Sequence, residues 1–269
     1  MFSRRLMSSR SLLAELEEQS VGLLGNSNME ARAEHQKVKQ YQTLYTFTTC
    51  IGVGVCVLML VWVLNFRKGL AWQSQPGLEF NWHPLLMSIG MIFCYSQAIL
   101  LYRTGRNYQK KTLKILHAML NCLAFILAVI ALKAVFDSHN LQNTPNLYTL
   151  HSWIGLATVI IFAAQFLAGF ITFLYPGLSP TLRSTILPIH VVFGTSCFIG
   201  VIVASVSGLL EKAIWAVKDY QSYGTEGMFI NIIGIFIIFY GILVLYLVNN
   251  VDYKRVALAD DQMPLERSE

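Results

Sequence analysis

The sequence predicts an all-α membrane protein with six transmembrane helices. Only 13% of its 269 residues are charged and 55% are hydrophobic, whereas a soluble domain carries about a quarter of its residues as charged groups. Six stretches come close to, or exceed, the about 20 apolar residues that a helix needs to cross a bilayer. Lysine and arginine are also strongly unequal between alternate connections. Together these observations exclude a disordered chain, a collagen-like repeat and a secreted disulfide scaffold.

The predicted spans run Thr46–Phe66, Pro84–Leu101, Ile115–Phe136, Leu150–Leu174, Ile186–Leu210 and Met228–Asn249. Gly, Ala and Ser are interspersed among large aliphatic residues, which suits close helix packing in lipid. Pro84 and Pro188 are read as first-turn prolines, where a missing N–H costs nothing. The organisation predicted is a flexible cytosolic tail over 1–42, a six-helix domain over 43–250 and a disordered cytosolic tail over 251–269. Within the first tail, Ser11–Leu24 has the alternative of a short amphipathic helix. No basic region runs straight into a cleavable apolar core there, so no signal peptide is read.

Orientation follows from the basic residues, which favour the cytosolic side. The N-terminal tail, the second-to-third connection, the fourth-to-fifth connection and the C-terminal tail hold 15 of the 20 lysines and arginines. The other five are Arg67, Lys68, Lys133, Lys212 and Lys218. Both termini are therefore expected in the cytosol. The net charge of +5 reports this topology, and nothing suggests nucleic-acid binding. All five cysteines lie within apolar spans without CxxC spacing and read as small packing residues.

Five of the six histidines belong to the membrane region. His83, His117, His151 and His190 each stand at or near the start of a span, on the second to fifth helices. Ionisable or metal-capable side chains in lipid are costly and mark functional sites. Because neighbouring spans are antiparallel, His83 and His151 share the outer half of the membrane, and His117 and His190 the inner half. In a four-helix ring each pair faces across a diagonal, an arrangement able to hold a haem iron from both sides. Two bis-histidine haems stacked across the membrane are the reading of this spacing. A proton relay or transition-metal pathway is its alternative.

At these residues the chain resembles the cytochrome b561 family of ascorbate-dependent transmembrane electron carriers. The likeness extends from about Val61 to Arg255. It is carried by Glu79-Phe80-Asn81-Trp82-His83-Pro84, Leu101-Tyr102-Arg103, Lys114-Ile115-Leu116-His117 and Ala134-Val135-Phe136-Asp137. Further matches are Leu147-Tyr148-Thr149-Leu150-His151-Ser152-Trp153, and Leu182-Arg183 leading to Pro188-Ile189-His190. The resemblance implies that helices two to five surround two b-type haems (haem b), His83 and His151 ligating the outer iron, His117 and His190 the inner. It implies cytosolic ascorbate as donor, and a ferric-iron chelate or monodehydroascorbate as acceptor on the other side. It assigns Lys114 and Arg183 to the ascorbate site, His139 and Tyr148 to the outer substrate site, and Arg103 to the surroundings of the inner haem.

Elementary chemistry suits these assignments. Ascorbate is an anion at neutral pH, and Lys114 lies three residues before His117, on the same helical face. Arg183 offers a planar fork to an enediolate or propionate. His139 is expected just beyond the third helix, exposed, with Tyr148 on the same face as His151 three residues later; a neutral imidazole there accepts a proton or a hydrogen bond, and protonation near the reference pKa of about 6.5 opposes both. Arg103-Thr104-Gly105-Arg106 departs from the proline-containing version of iron-reducing relatives, while Asn81-Trp82-His83 and Pro188-Ile189-His190 are more like the duodenal and lysosomal branches than the chromaffin-granule branch. The membrane is accordingly endolysosomal, secretory-granule or plasma membrane, and the family implies a homodimer. Two other function classes stand beside the reductase: a proton- or metal-linked transporter using the membrane histidines, and a haem-bearing membrane anchor of a larger oxidoreductase.

Overall fold

The computed structural model describes residues 2–255, and no strand occurs among them. Most of the expected C-terminal tail, with its acidic Asp260–Leu265 stretch, lies outside the described residues. The chain divides into two units between Leu44 and Tyr45. In the first unit the backbone is helical from Phe2 onward, as the beginning of α1 (Phe2–Val61). The helix includes Ser11–Leu24 and extends well beyond the short helix that the sequence offers there as an alternative. The segment lacks proline and is rich in Ala, Leu, Met, Glu, Gln, Lys and Arg, all strong helix formers; hydropathy carries no information about that preference.

The second unit contains the apolar end of α1, which continues as a π-helical turn over Trp62–Phe66. A short α2 (Pro76–Glu79) leads into the second span. That span is α3 (Trp82–Met87), a π-helical stretch Ser88–Cys94, and α4 (Tyr95–Thr104). Then follow α5 (Lys110–Leu141), α6 (Leu150–Phe173), α7 (Pro180–Ala216) and α8 (Thr225–Asn249). Among the described residues, six helical stretches are long and apolar enough to cross a membrane.

Four spans close into a ring. The second packs on α5, α5 on α6, α6 on α7, and α7 back on the second span, while α8 lies against α7 and α4. Small side chains make the ring tight. On α5 the buried positions Asn121, Ala124, Ala128, Ala131, Ala134 and Ser138 recur at three- and four-residue intervals, so the second span approaches the α5 backbone closely. A buried polar contact ties α8 to the second span: Ser96 Oγ and Tyr240 Oη are 2.5 Å apart. In lipid such bonds join helices because water offers no competing partner.

Three local expectations change. Helix α5 does not stop at Phe136 but runs to Leu141, so His139 is part of the helix. Apolar content marks only the lipid-embedded part, whereas the polar turn beyond it is held by the Lys133–Asp137 pair and by Ser138 Oγ donating to Pro76 O at 2.7 Å. Helix α7 begins at Pro180, with the Ser179 side chain as its N-cap. Pro188 is consequently inside a helix, where the ring removes one ladder hydrogen bond, and is not a first-turn residue. Tyr148 precedes Thr149, the N-cap of α6, so the helical-face argument that paired it with His151 does not apply.

Candidate functional site: two histidine pairs across a helix ring

Each diagonal of the ring presents two imidazoles to one another. The rings of His83 and His151 have centroids 6.1 Å apart at an interplanar angle of 87°. Those of His117 and His190 are 6.3 Å apart at 65°. An imidazole nitrogen bonds a transition metal at about 2.0 Å, and its ring centre lies roughly 1 Å behind, so two rings flanking one ion have centres about 6 Å apart.

Backbone carbonyls orient three of the four rings. Nδ1 of His83 lies 3.3 Å from Ala131 O, that of His151 2.8 Å from Ala204 O, and that of His117 2.8 Å from Ala98 O. A carbonyl only accepts, so Nδ1 carries the proton and Nε2 keeps its lone pair, the tautomer that a metal requires. The close approach depends on small residues. A methyl group at Gly208 would fall 2.6 Å from His151 Cε1, and one at Gly169 would fall 2.8 Å from His190 Cε1. At the fourth histidine, Gln165 Nε2 donates to the His190 main-chain oxygen at 2.5 Å.

The His83–His151 end opens into a cavity of about 420 Å³. Apolar side chains such as Met87, Met91, Leu132 and Val159 line its depth, and His139, Tyr148, Lys212 and Trp215 line it as well. The donor set and the apolar wall fit a b-type haem, a flat apolar macrocycle whose iron takes axial histidines. His139 stacks on Phe80 at 6.2 Å and 14°, and Tyr148 stacks on Trp215 at 5.8 Å and 17°.

At the other end Tyr102 packs against His117 at 5.7 Å and Phe173 against His190 at 5.2 Å. Lys114 Nζ donates to Phe173 O at 2.9 Å, meeting an orphan carbonyl at the end of α6. Arg183 is near enough to Lys114 for their charges to repel. Arg103 follows Tyr102 directly, but its guanidinium donates to Asn250 O at 2.6 Å and to Val248 O, closing the C-terminal end of α8.

The structure thus gathers His83, His151, His139 and Tyr148 around one cavity, and Lys114 and Arg183 beside the second pair. Sequence reasoning overlooked Lys212, whose Nζ sits 3.7 Å above the Phe80 ring; a lysine in the last turns of a mostly apolar helix was the available signal. It also overlooked Gly169 and Gly208, which carry no chemical signature of their own.

Between the two pairs the ring is filled by aromatic side chains from all four spans. Tyr95 meets Phe162 at 4.8 Å and Phe198 at 5.9 Å, and Phe125 meets Phe162 and Phe166 at 6.4 Å. Along α5 the interval from His117 to Ala131, the partner of His83, is about 21 Å at 1.5 Å per residue.

The fold and site together define an integral membrane protein whose four-helix ring offers one histidine pair toward each end. Comparison with known proteins specifies it further. The family profile of eukaryotic cytochrome b561 matches residues 82–216. The plasma membrane ascorbate-dependent reductase of Mus musculus is 41% identical over 209 residues, 76% of this chain and 72% of that protein. The transmembrane ascorbate-dependent reductase of Sus scrofa is 39% identical over 217 residues, 80% of this chain and 85% of its own. A Caenorhabditis elegans homologue of the latter is 36% identical over 240 residues, 85% and 90% of the two chains. The chain belongs to the cytochrome b561 family.

Proposed function

We propose that the protein carries single electrons across a membrane, from cytosolic ascorbate to a ferric-iron chelate or monodehydroascorbate on the opposite side. In this reading His83 and His151 hold one b haem near the non-cytosolic face, and His117 and His190 hold a second near the cytosolic face. The observation that carries it is the pair of ring spacings, 6.1 and 6.3 Å, each matching two imidazoles on opposite sides of one iron. When bound, such a haem supplies a one-electron ferric/ferrous couple. The names of the mouse and pig relatives, both ascorbate-dependent reductases, support the donor.

The chain's own residues do the rest. Ala98, Ala131 and Ala204 hold Nδ1–H and aim Nε2 inward. With both termini in the cytosol, as the distribution of basic residues favours, Lys114 and Arg183 face that side and attract the ascorbate monoanion. Ascorbate gives up one electron and one proton to become the monodehydroascorbate radical anion. His139 and Tyr148 receive the acceptor at the other end, and Arg103 adds positive charge on the cytosolic side. The aromatic filling favours electrons over ions: protons and metal ions need a continuous polar path, which Tyr95, Phe125, Phe162 and Phe198 interrupt.

The test is haem content by residue. His83→Ala or His151→Ala should remove one haem and leave the other; His117→Ala or His190→Ala should do the converse. Equal loss of both haems from every variant in folded protein refutes the pairing.

A further inference from the structure

Two basic side chains, Arg67 and Lys212, line the cavity beside His83 and His151 among the described residues, and they are not equivalent. Arg67 is neutralised by Glu226 at 3.2 Å, and the same carboxylate oxygen accepts from Trp62 Nε1 at 2.9 Å. Lys212 makes no ion pair within 4 Å among the described residues; it feels the same Glu226, already engaged by Arg67, and the repelling charge of Arg67 itself. Glu211 also lines the cavity, but adjacent helical residues diverge by about 100°. The Lys212 ammonium lies 3.7 Å over the Phe80 ring. An aromatic face orients a cation without cancelling its charge.

The surroundings hold that ammonium in one place. Phe80 is stacked on His139, and Trp215, three residues beyond Lys212 on the same face of α7, is stacked on Tyr148. Four chain segments converge there: the end of α2, the last turn of α5, the connection before α6 and the last turns of α7. A half-buried cation with aromatic walls and a neighbouring imidazole is complementary to a small oxyanion.

We propose that Lys212 is the anion receptor of this cavity, taking a carboxylate or enediolate group beside His139. The proposal rests on reading the cavity as the acceptor-side haem site. The shared chemistry has two sources, a propionate of the haem itself or an anionic soluble acceptor.

The experiment uses the purified, full-length, haem-loaded protein with Lys212→Met and Lys212→Arg, and citrate as the probe anion. If the anion is soluble, Lys212→Met weakens citrate binding about tenfold in titration calorimetry. It also raises the half-saturating ferric citrate concentration about tenfold, the effect of one charge-assisted hydrogen bond. Lys212→Arg restores both, and reduction of the cation hexaammineruthenium(III) does not slow. If the anion is a propionate, citrate binding is unchanged and the midpoint potential of one haem falls, because removing a positive charge favours the ferric state. The unaltered spectrum of the second haem serves as the folding control. Unchanged citrate binding, ferric citrate kinetics and midpoint potentials in Lys212→Met overturn the proposal. A wild-type protein without a haem at His83 and His151 would refute the haem reading instead, while citrate calorimetry still tests Lys212.

Discussion

Replacing Gly208 by alanine tests whether helix packing sets the geometry of one histidine pair alone. The new methyl carbon would stand 2.6 Å from His151 Cε1 and 2.8 Å from Nδ1, whereas ordinary contact begins at 3.4 Å. The ring must therefore retreat by about 0.8 Å, the difference of those distances. It cannot slide freely, because Nδ1 is held 2.8 Å from Ala204 O, one turn earlier on the same helix. Metal–ligand distances tolerate only about 0.2 Å, so either His151 would lose the iron it is proposed to hold or α6 and α7 would separate. Overpacking of this kind costs about 1–3 kcal/mol, which at tenfold per 1.4 kcal/mol is roughly 5- to 150-fold weaker haem retention. The assay is haem per chain by pyridine haemochrome, with redox difference spectra. Gly208→Ala should lose the haem of His83 and His151 and keep the other, and Gly169→Ala should do the reverse. Gly234→Ala, where nothing lies within 4 Å of the new methyl, should keep both. Two full haems and an unaltered spectrum in Gly208→Ala would refute the packing argument.

Other expectations follow from the same geometry. The double variant Lys114→Ala, Arg183→Ala should raise the half-saturating ascorbate concentration at the cytosolic face by about 100-fold, since each removes a charge-assisted contact of about 1.5 kcal/mol. Rapid-mixing reduction of vesicles with that face outward measures it, and an unchanged value sinks the proposed donor site. His139→Ala should retain both haems and normal ascorbate reduction but slow delivery to the acceptor by about 100-fold, the lower end of general acid–base contributions; reoxidation by ferric citrate or monodehydroascorbate reads it. Glu226→Gln keeps an acceptor for Trp62 but strands Arg67, whose ion pair is only 21%/17% exposed. Leaving that charge unpaired should cost about 1–3 kcal/mol, seen as a lower unfolding temperature in detergent with haem content intact. An unchanged unfolding temperature would show that Arg67 finds another partner.

The class of the protein was legible in the chain itself. Hydropathy and length dictate six spans, because lipid leaves the backbone no partner but its own helix. Antiparallel order by itself then sorts His83 with His151 and His117 with His190. Other features depend on residues distant in sequence. The ends of α5 and α7 extend into polar segments that hydropathy does not register, which moves His139 onto a helix and Pro188 into one. The carbonyls of Ala98, Ala131 and Ala204 are indistinguishable in sequence from those of any other alanine, yet they select the tautomers. Gly169 and Gly208 are ordinary helical glycines until the neighbouring helix lays an imidazole against them. Lys212 reads as one more basic residue at a membrane edge, and only the folding of α7 against the end of α2 places its ammonium on Phe80. Patterning along a chain determines which segments enter the membrane, since that is a transfer free energy of each segment. Which groups meet is decided by close packing between segments, and that exists only in the assembled ring.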